Sequence, residues 1–229
     1  MKFHVAPIVA SLALALALVA FPIEEVHAQQ RQSSFEDPFN PGTIDLSIGL
    51  GGLFYNWVEP GLDFGVIPVS DLGVISFGGS VNAGYCLVGC GLLNFIFQPL
   101  RITAWHVSPL AKVNFHLNAL PRALNIEQVD VFGGIAVGAA YQIVALTVTD
   151  QPGDRADFSG LTALFGPMLG LRYTLSGNTG FFLYGEWRYL AEIGSQDFRL
   201  TTTDGQVYDQ TDLISRGGTN TSFGLGFRF

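Results

Sequence analysis

Lysine is nearly missing from this 229-residue chain, which has only Lys2 and Lys112, and charged residues of every kind make up just 13%. An ordinary soluble domain carries about 25% charged residues. The 19 acidic against 11 basic side chains, with no basic cluster, argue against a nucleic-acid partner. Cysteine is scarce too: Cys86 and Cys90 are the only two, too few for a disulfide scaffold, and no His stands near them in sequence to suggest a metal site. Beyond residue 28 no apolar run reaches the roughly 18 residues that a membrane-spanning helix needs. What the chain does have is 48% hydrophobic residues, 28 glycines and 19 phenylalanines. That composition excludes a disordered chain or a coiled coil. A membrane protein or a glycine-rich all-β protein is left.

The first 28 residues read as an export signal. Lys2 supplies a positive start, and Ile8 to Ala20 form an apolar run of about a dozen residues, too short to span a bilayer. Pro22 ends the run, and Val26-His-Ala28 puts small residues at the −3 and −1 positions before Gln29. Cleavage is expected near Ala28, with no cysteine following it to carry a lipid anchor. Residues 29–43, rich in Gln, Ser and Pro, read as a flexible periplasmic leader, and 44–229 as the folded body.

Within that body the apolar residues alternate, the period of a strand with two unlike faces. Strands are predicted over 44–55, 59–67, 72–85, 101–117, 129–146, 160–175, 180–193 and 217–229. In the seventh, Phe181, Leu183, Trp187, Tyr189 and Ile193 share one parity, while Glu186, Arg188 and Glu192 share the other. The ionisable residues of the strand interiors are Asp45, Asp63, Lys112, Arg172, Glu186, Arg188, Glu192 and Arg228. Each is assigned to the face opposite its strand's bulky apolar side chains, among Gly, Ser and Thr. Small polar residues suit the crowded inside of a narrow barrel, and bulky apolar ones suit lipid. An open sheet edge in hydrocarbon would strand unpaired backbone groups, so the sheet must close. The predicted fold is all-β: an eight-stranded antiparallel up-and-down transmembrane β-barrel.

With the N-terminus in the periplasm, the links at 68–71, 118–128 and 176–179 fall on that side, and the long links 86–100, 147–159 and 194–216 fall outside. Pro109 and Pro167 sit inside strands, where each removes a ladder donor and is expected to mark a bulge. Asp204-Gly205, within the alternating run 198–208, predicts a hairpin with a type I′ turn.

The chain ends Phe223-Gly-Leu-Gly-Phe227-Arg-Phe229, with aromatics at alternate positions. This resembles the C-terminal signal of bacterial outer-membrane barrels. Lys112-Val-Asn-Phe-His116 and Asp130-Val-Phe-Gly-Gly-Ile-Ala-Val-Gly138 look like paired middle strands of the small outer-membrane β-barrel domain families, the OmpA- or OmpX-like eight-stranded barrels. The resemblance implies the outer membrane of a Gram-negative (diderm) bacterium. It also implies contact with outer-membrane lipid and recognition of Phe223, Phe227 and Phe229 by the barrel-assembly machinery; with the sequence stopping at Phe229, no peptidoglycan-binding domain of the OmpA kind is expected to follow.

Other groupings bear on chemistry. His106-Val-Ser108 resembles the His-x-Ser strand motif of lipid A deacylases, but Pro109 follows it, no acid is placed to orient the His, and the pair faces the lumen. Cys86 and Cys90, in an exported chain, are expected to form a loop disulfide. Asp150, Asp154 and Asp157 match no calcium-loop spacing, and Arg155 lies among them. Trp105, Tyr141, Tyr173, Phe181 and Tyr189 fall on the lipid parity, as an interfacial belt would. No catalytic, metal or cofactor site is expected. The expected role is a non-enzymatic structural or surface-interaction barrel acting through its outer loops, with an extracellular partner left open. The alternatives are a narrow, porin-like passive channel and a deacylase-like enzyme. The balanced lumen charges favour mutual pairing over the one-sign ring of a selective channel.

Overall fold

The computed structural model describes residues 37–52, 56–98, 100–175 and 180–229. The predicted signal peptide, residues 29–36 of the leader and the 176–179 turn lie outside the described residues. The strands are β1 (Ile44–Gly51), β2 (Asn56–Val69), β3 (Gly73–Tyr85), β4 (Leu100–His116), β5 (Val129–Val148), β6 (Gln151–Thr174), β7 (Phe181–Thr201) and β8 (Val207–Arg228). Each pairs antiparallel with the next, and β1 pairs with β8 to close the barrel. Helix α1 (Val88–Ile96) joins β3 to β4, and α2 (Ala119–Leu124) joins β4 to β5.

The alternation produces the closure. Leu46, Ile48, Leu50, Phe223 and Leu225 are exposed on the outer wall, while Asp45 and Ser222 are buried within. Nothing inside such a narrow ring is far from a neighbouring strand, so the interior is filled by side chains.

Three sequence expectations change. The links 147–159 and 194–216 are mostly strand, because β5 and β6 run into a turn at 149–150 and β7 and β8 continue to a turn at 202–206. Both stretches keep the alternating pattern, and a hairpin needs no apolar face to continue a ladder already started. Second, Pro109 and Pro167 make no bulge. Ladder pairing lapses between Val107↔Tyr141 and Leu110↔Gly138, and between Phe165↔Ala191 and Met168↔Arg188, yet it resumes in the same register. At the first proline, Gly138, opposite the neighbouring Leu110, lets the strands stay close: a Cβ there would run into the Pro109 carbonyl oxygen. The register shifts fall instead at Gly65/Ile67 and Thr147/Val148. Third, β2 begins at Asn56 rather than at 59, so Glu59 lies within the strand, buried in the barrel, instead of at its end.

The strands are unequal in length. β1 ends at Gly51 opposite Ser222, so residues 207–221 of β8 rise beyond it, paired only to β7. One end of the barrel, holding Ile44 and Phe229, is compact; the far end carries the hairpins and α1.

Candidate functional site

The inward residues stack in layers along the axis. Nearest the compact end, register puts Asp45 opposite both Arg228 and Asp63, and Asp130 opposite Arg172. The Arg172 guanidinium bridges the like-charged carboxylates, donating to Asp45 at 3.0 Å and to Asp63 at 2.7 Å, and it lies 3.4 Å from Asp130. Arg228 donates twice to Asp45, both at 2.7 Å. His116 Nδ1 lies 2.9 Å from Asp130, its Nε2 lies 3.0 Å from the Ser76 hydroxyl, and Asn114 donates to Asp63 at 3.2 Å. Three carboxylates thus share two guanidiniums and an imidazole. Phe132 sits under Arg172 at 4.4 Å, adding a cation–π contact.

A second layer lies above. Lys112 Nζ donates to Glu59 at 3.3 Å and to Glu186 at 3.0 Å. Arg188, fully buried, donates to Glu59 and has its Nε 2.9 Å from Glu186. Between the layers, among Asp63, Ser80, Asn114 and Tyr184, is a cavity of about 20 Å³, which holds roughly one water molecule. Farther up, Leu110, Ala140 and Leu164 form a buried apolar collar with Leu190. Beyond the collar Glu192 accepts from Arg216 at 2.5 Å and from Thr162 at 2.8 Å, and His106 meets Asn82 at 2.5 Å.

The eight predicted lumen charges all point inward, but in three levels rather than one. Asp45, Asp63, Arg172 and Arg228 meet in the first, Lys112, Glu186 and Arg188 in the second, and Glu192 stands in the third. Arg228 therefore does not reach Glu186, which lies opposite Ser222, six residues farther along β8. Sequence reasoning missed Glu59, Asp130, His116 and Arg216. Glu59 and Asp130 stand at the ends of their predicted strands; their shared parity with Asp63 and with His116's partner strand was the available signal.

The compact mouth is stopped from below. The described part of the 29–43 segment is packed rather than loose: Phe39 is fully buried and stacks on His116 with ring centroids 3.6 Å apart. Asn118 donates to the Phe39 carbonyl at 2.7 Å, and Arg228 donates to that of Pro38. Gly42 and Thr43 pair with Gly65. Arg122 on α2 clasps Asp37 at 2.6 Å, and those hydrogen bonds hold its guanidinium pKa above the ordinary value. Phe39 was invisible as a plug in the sequence because its partners are 77 and more residues away.

The remaining candidates are placed as follows. Cys86 and Cys90 are disulfide-bonded, with Cα atoms 5.4 Å apart. His106 and Ser108 face the interior of β4. Asp154 accepts from Thr203 at 2.6 and 2.7 Å, and Asp157 pairs with Arg155 at 2.7 Å, so these two carboxylates are turned to different partners. Phe223 and Phe229 are exposed on the outer wall, and Phe227 touches Phe229 at 4.7 Å. Chemically, the arrangement is a pair of neutralised ionic layers with an aromatic stopper, which blocks a lumen and offers no open substrate pocket between charge layers.

No protein-family model matches the chain, and no curated protein matches its sequence. Among solved structures, the chain is similar to a major outer membrane protein from Thermus thermophilus, at 12% identity with a TM-score of 0.61. The match covers 82% of this chain and 99% of that one, and at this identity it is a likeness of fold.

Proposed function

We propose that the chain is an outer-membrane β-barrel, exported by residues 1–28 with cleavage near Ala28. It serves as a closed, non-enzymatic structural element that displays its far-end hairpins to the exterior. The outer wall supports the membrane placement. Ile135, Val137, Leu161, Leu169, Leu183 and Leu225 are exposed there, as a hydrocarbon solvent requires and water does not. The short links and both barrel termini then lie in the periplasm, the β5–β6 and β7–β8 hairpins outside, and the Phe223, Phe227 and Phe229 strand is what the assembly machinery of a diderm bacterium reads. A small OmpA- or OmpX-like architecture suits this reading.

The observation that carries the closed state is the double ionic layer. Arg188 and Asp130 are almost fully buried, yet each has opposite charge in contact. Pulling such groups apart to admit an ion column costs several kcal/mol each. Purified protein in a planar bilayer is expected to show little or no steady conductance. A large, stable conductance from the unmodified protein replaces this reading with the narrow channel.

A further inference from the structure

The outer wall is not uniform. Around β1–β4, toward the far end, lies an open groove of about 810 Å³ whose lining is mostly apolar. Register places Leu50, Val58, Ala83 and Val107 in one continuous row across these four strands. Tyr85 and Trp105 pair in the row above. Leu50, Val58 and Val107 are exposed, and Ala83 is the smallest side chain of the row, which makes the wall concave between its two valine neighbours. Farther along the outward parity of β4, past Trp105 and Thr103, stands Arg101, lining a second, polar recess of about 530 Å³ with Gln98 and Asp150. Among the described residues no carboxylate comes within ion-pair distance of Arg101.

The spacing of the two recesses is informative. Six residues separate Val107 from Arg101, about 20 Å of strand, and with a tilt of roughly 40° this rises about 15 Å. That is half of a hydrocarbon core about 30 Å thick. Arg101 therefore stands about half a hydrocarbon core above the groove on the same strand face, the separation between a lipid headgroup and the middle of its acyl chain. Helix α1 flanks them rigidly: Asn94 accepts from Ile102 N–H at 2.6 Å and donates to its carbonyl at 3.2 Å, and the Cys86–Cys90 link closes its first turn. The helix carries no charge, and Phe95 and Ile96 stand 75% and 58% exposed, as suits the boundary between headgroups and chains.

We infer that this face binds a single lipid of the surrounding leaflet, its acyl chain lying over Ala83 between Val58 and Val107 and its anionic headgroup held by Arg101. The inference rests on the membrane reading above; the groove is continuous with the lipid-facing wall, so membrane lipid is the occupant that reaches it without leaving the bilayer.

The test is native mass spectrometry of the detergent-purified chain mixed with dimyristoyl phosphatidylglycerol or dimyristoyl phosphatidylcholine. Liposome incorporation of the same preparation is scored separately. The unmodified chain is expected to retain one phosphatidylglycerol, with about fivefold preference over phosphatidylcholine, the scale of one exposed charge contact. Ala83→Phe fills the groove and is expected to weaken retention about tenfold, the equivalent of roughly two buried methylenes. Arg101→Gln keeps the chain contact and loses the headgroup preference. Leu183→Phe, on the outer wall of β7, leaves both unchanged. Equal retention of the two lipids by the unmodified chain, or Ala83→Phe behaving like Leu183→Phe, overturns the site while liposome incorporation stands. Failure to incorporate overturns the membrane reading itself.

Discussion

The two halves of the barrel use the same ion pairs in opposite surroundings. In the compact half, Arg188 and Glu59 pair at 0% and 2% exposure, and each also touches another charge. On the far hairpin, Arg199 and Asp209 pair at 3.0 Å with 61% and 60% exposure. By geometry alone both are good salt bridges. By physics they differ, because water screens the second pair and solvates either member if its partner leaves. In the first, every strand around the ring supplies a wall, and a charge left alone has at most the single water that the cavity between the layers can hold. The compact half is thus bound to one arrangement, while the hairpin half tolerates change. The difference lies in the surroundings of the pairs, not in their geometry.

Arginine deletion breaks that comparison most sharply. Arg188→Ala leaves Glu59 and Glu186 facing each other with Lys112 alone between them. The expected loss is about 3–5 kcal/mol of unfolding free energy, the range for an orphaned buried charge, accompanied by a rise in leak current. Arg199→Ala is expected to cost less than about 1 kcal/mol and to leave conductance alone. Denaturant titration in detergent and planar-bilayer recording read both. Equal losses from the two variants would erase the distinction between the halves.

The stopper is a smaller and separable effect. Phe39 stacks on His116 and lies 5.2 Å from the Arg228 guanidinium. Phe39→Ala is expected to cost about 3 kcal/mol, the low end for a buried phenylalanine, with conductance nearly unchanged because both ionic layers remain. Combined with Arg188→Ala it should conduct more than either variant alone. A steady current from Phe39→Ala by itself would make the aromatic plug, rather than the charges, the seal.

The contrast between the halves also marks what the sequence made legible. The eight strands and the inward side of all eight predicted charges follow from period-two alternation, which is local and survives even the two prolines because the strands keep register across them. The layering was not legible. Whether Glu186 meets Arg228 or Lys112 depends on stagger between strands, and alternation carries no information about stagger. Glu59 escaped notice because it opens its predicted strand, where parity is least defined; pairing to β3 lapses beside it, between Val58↔Ala83 and Gly61↔Ser80, so the missing Pro60 donor breaks no ladder bond. Phe39 lay outside any periodic segment altogether. At the far end the Asp204-Gly205 hairpin forms as expected, but its turn differs from type I′: among the described residues Gly205 alone takes a positive φ there, +81°, and Asp204 does not. The Gly205 amide donates to Thr202 at 2.8 Å, and the Thr202 amide to Gln206 at 3.0 Å, a type I turn completed by a glycine bulge. An L-residue avoids the left-handed strain of the first I′ position when one more residue is available to the loop.

That tip offers the mildest test of how loosely the far half is held. The Thr202 hydroxyl donates to the Asp204 carboxylate, and the Gln206 amide lies 3.5 Å from it. These donors favour the ionised form and hold the Asp204 pKa below the ordinary aspartate value. Because the folded value is the lower one, the carboxylate's contribution to turn order is complete above the ordinary value and is lost as pH falls through the depressed one. Hydrogen exchange at Gly205 and Gln206 should therefore follow the normal base-catalysed trend from pH 7 to 5, then show lost protection below about pH 4. Asp154, which accepts from Thr203, is the other carboxylate at the tip, so Asp204→Asn separates the two. That variant should lack the acid-linked loss, while the barrel's unfolding midpoint stays where it was. A transition near pH 6, or one that survives in Asp204→Asn, would tie the tip to a different group. A shift of the barrel midpoint in step with it would show that the far half is coupled to the sealed half after all.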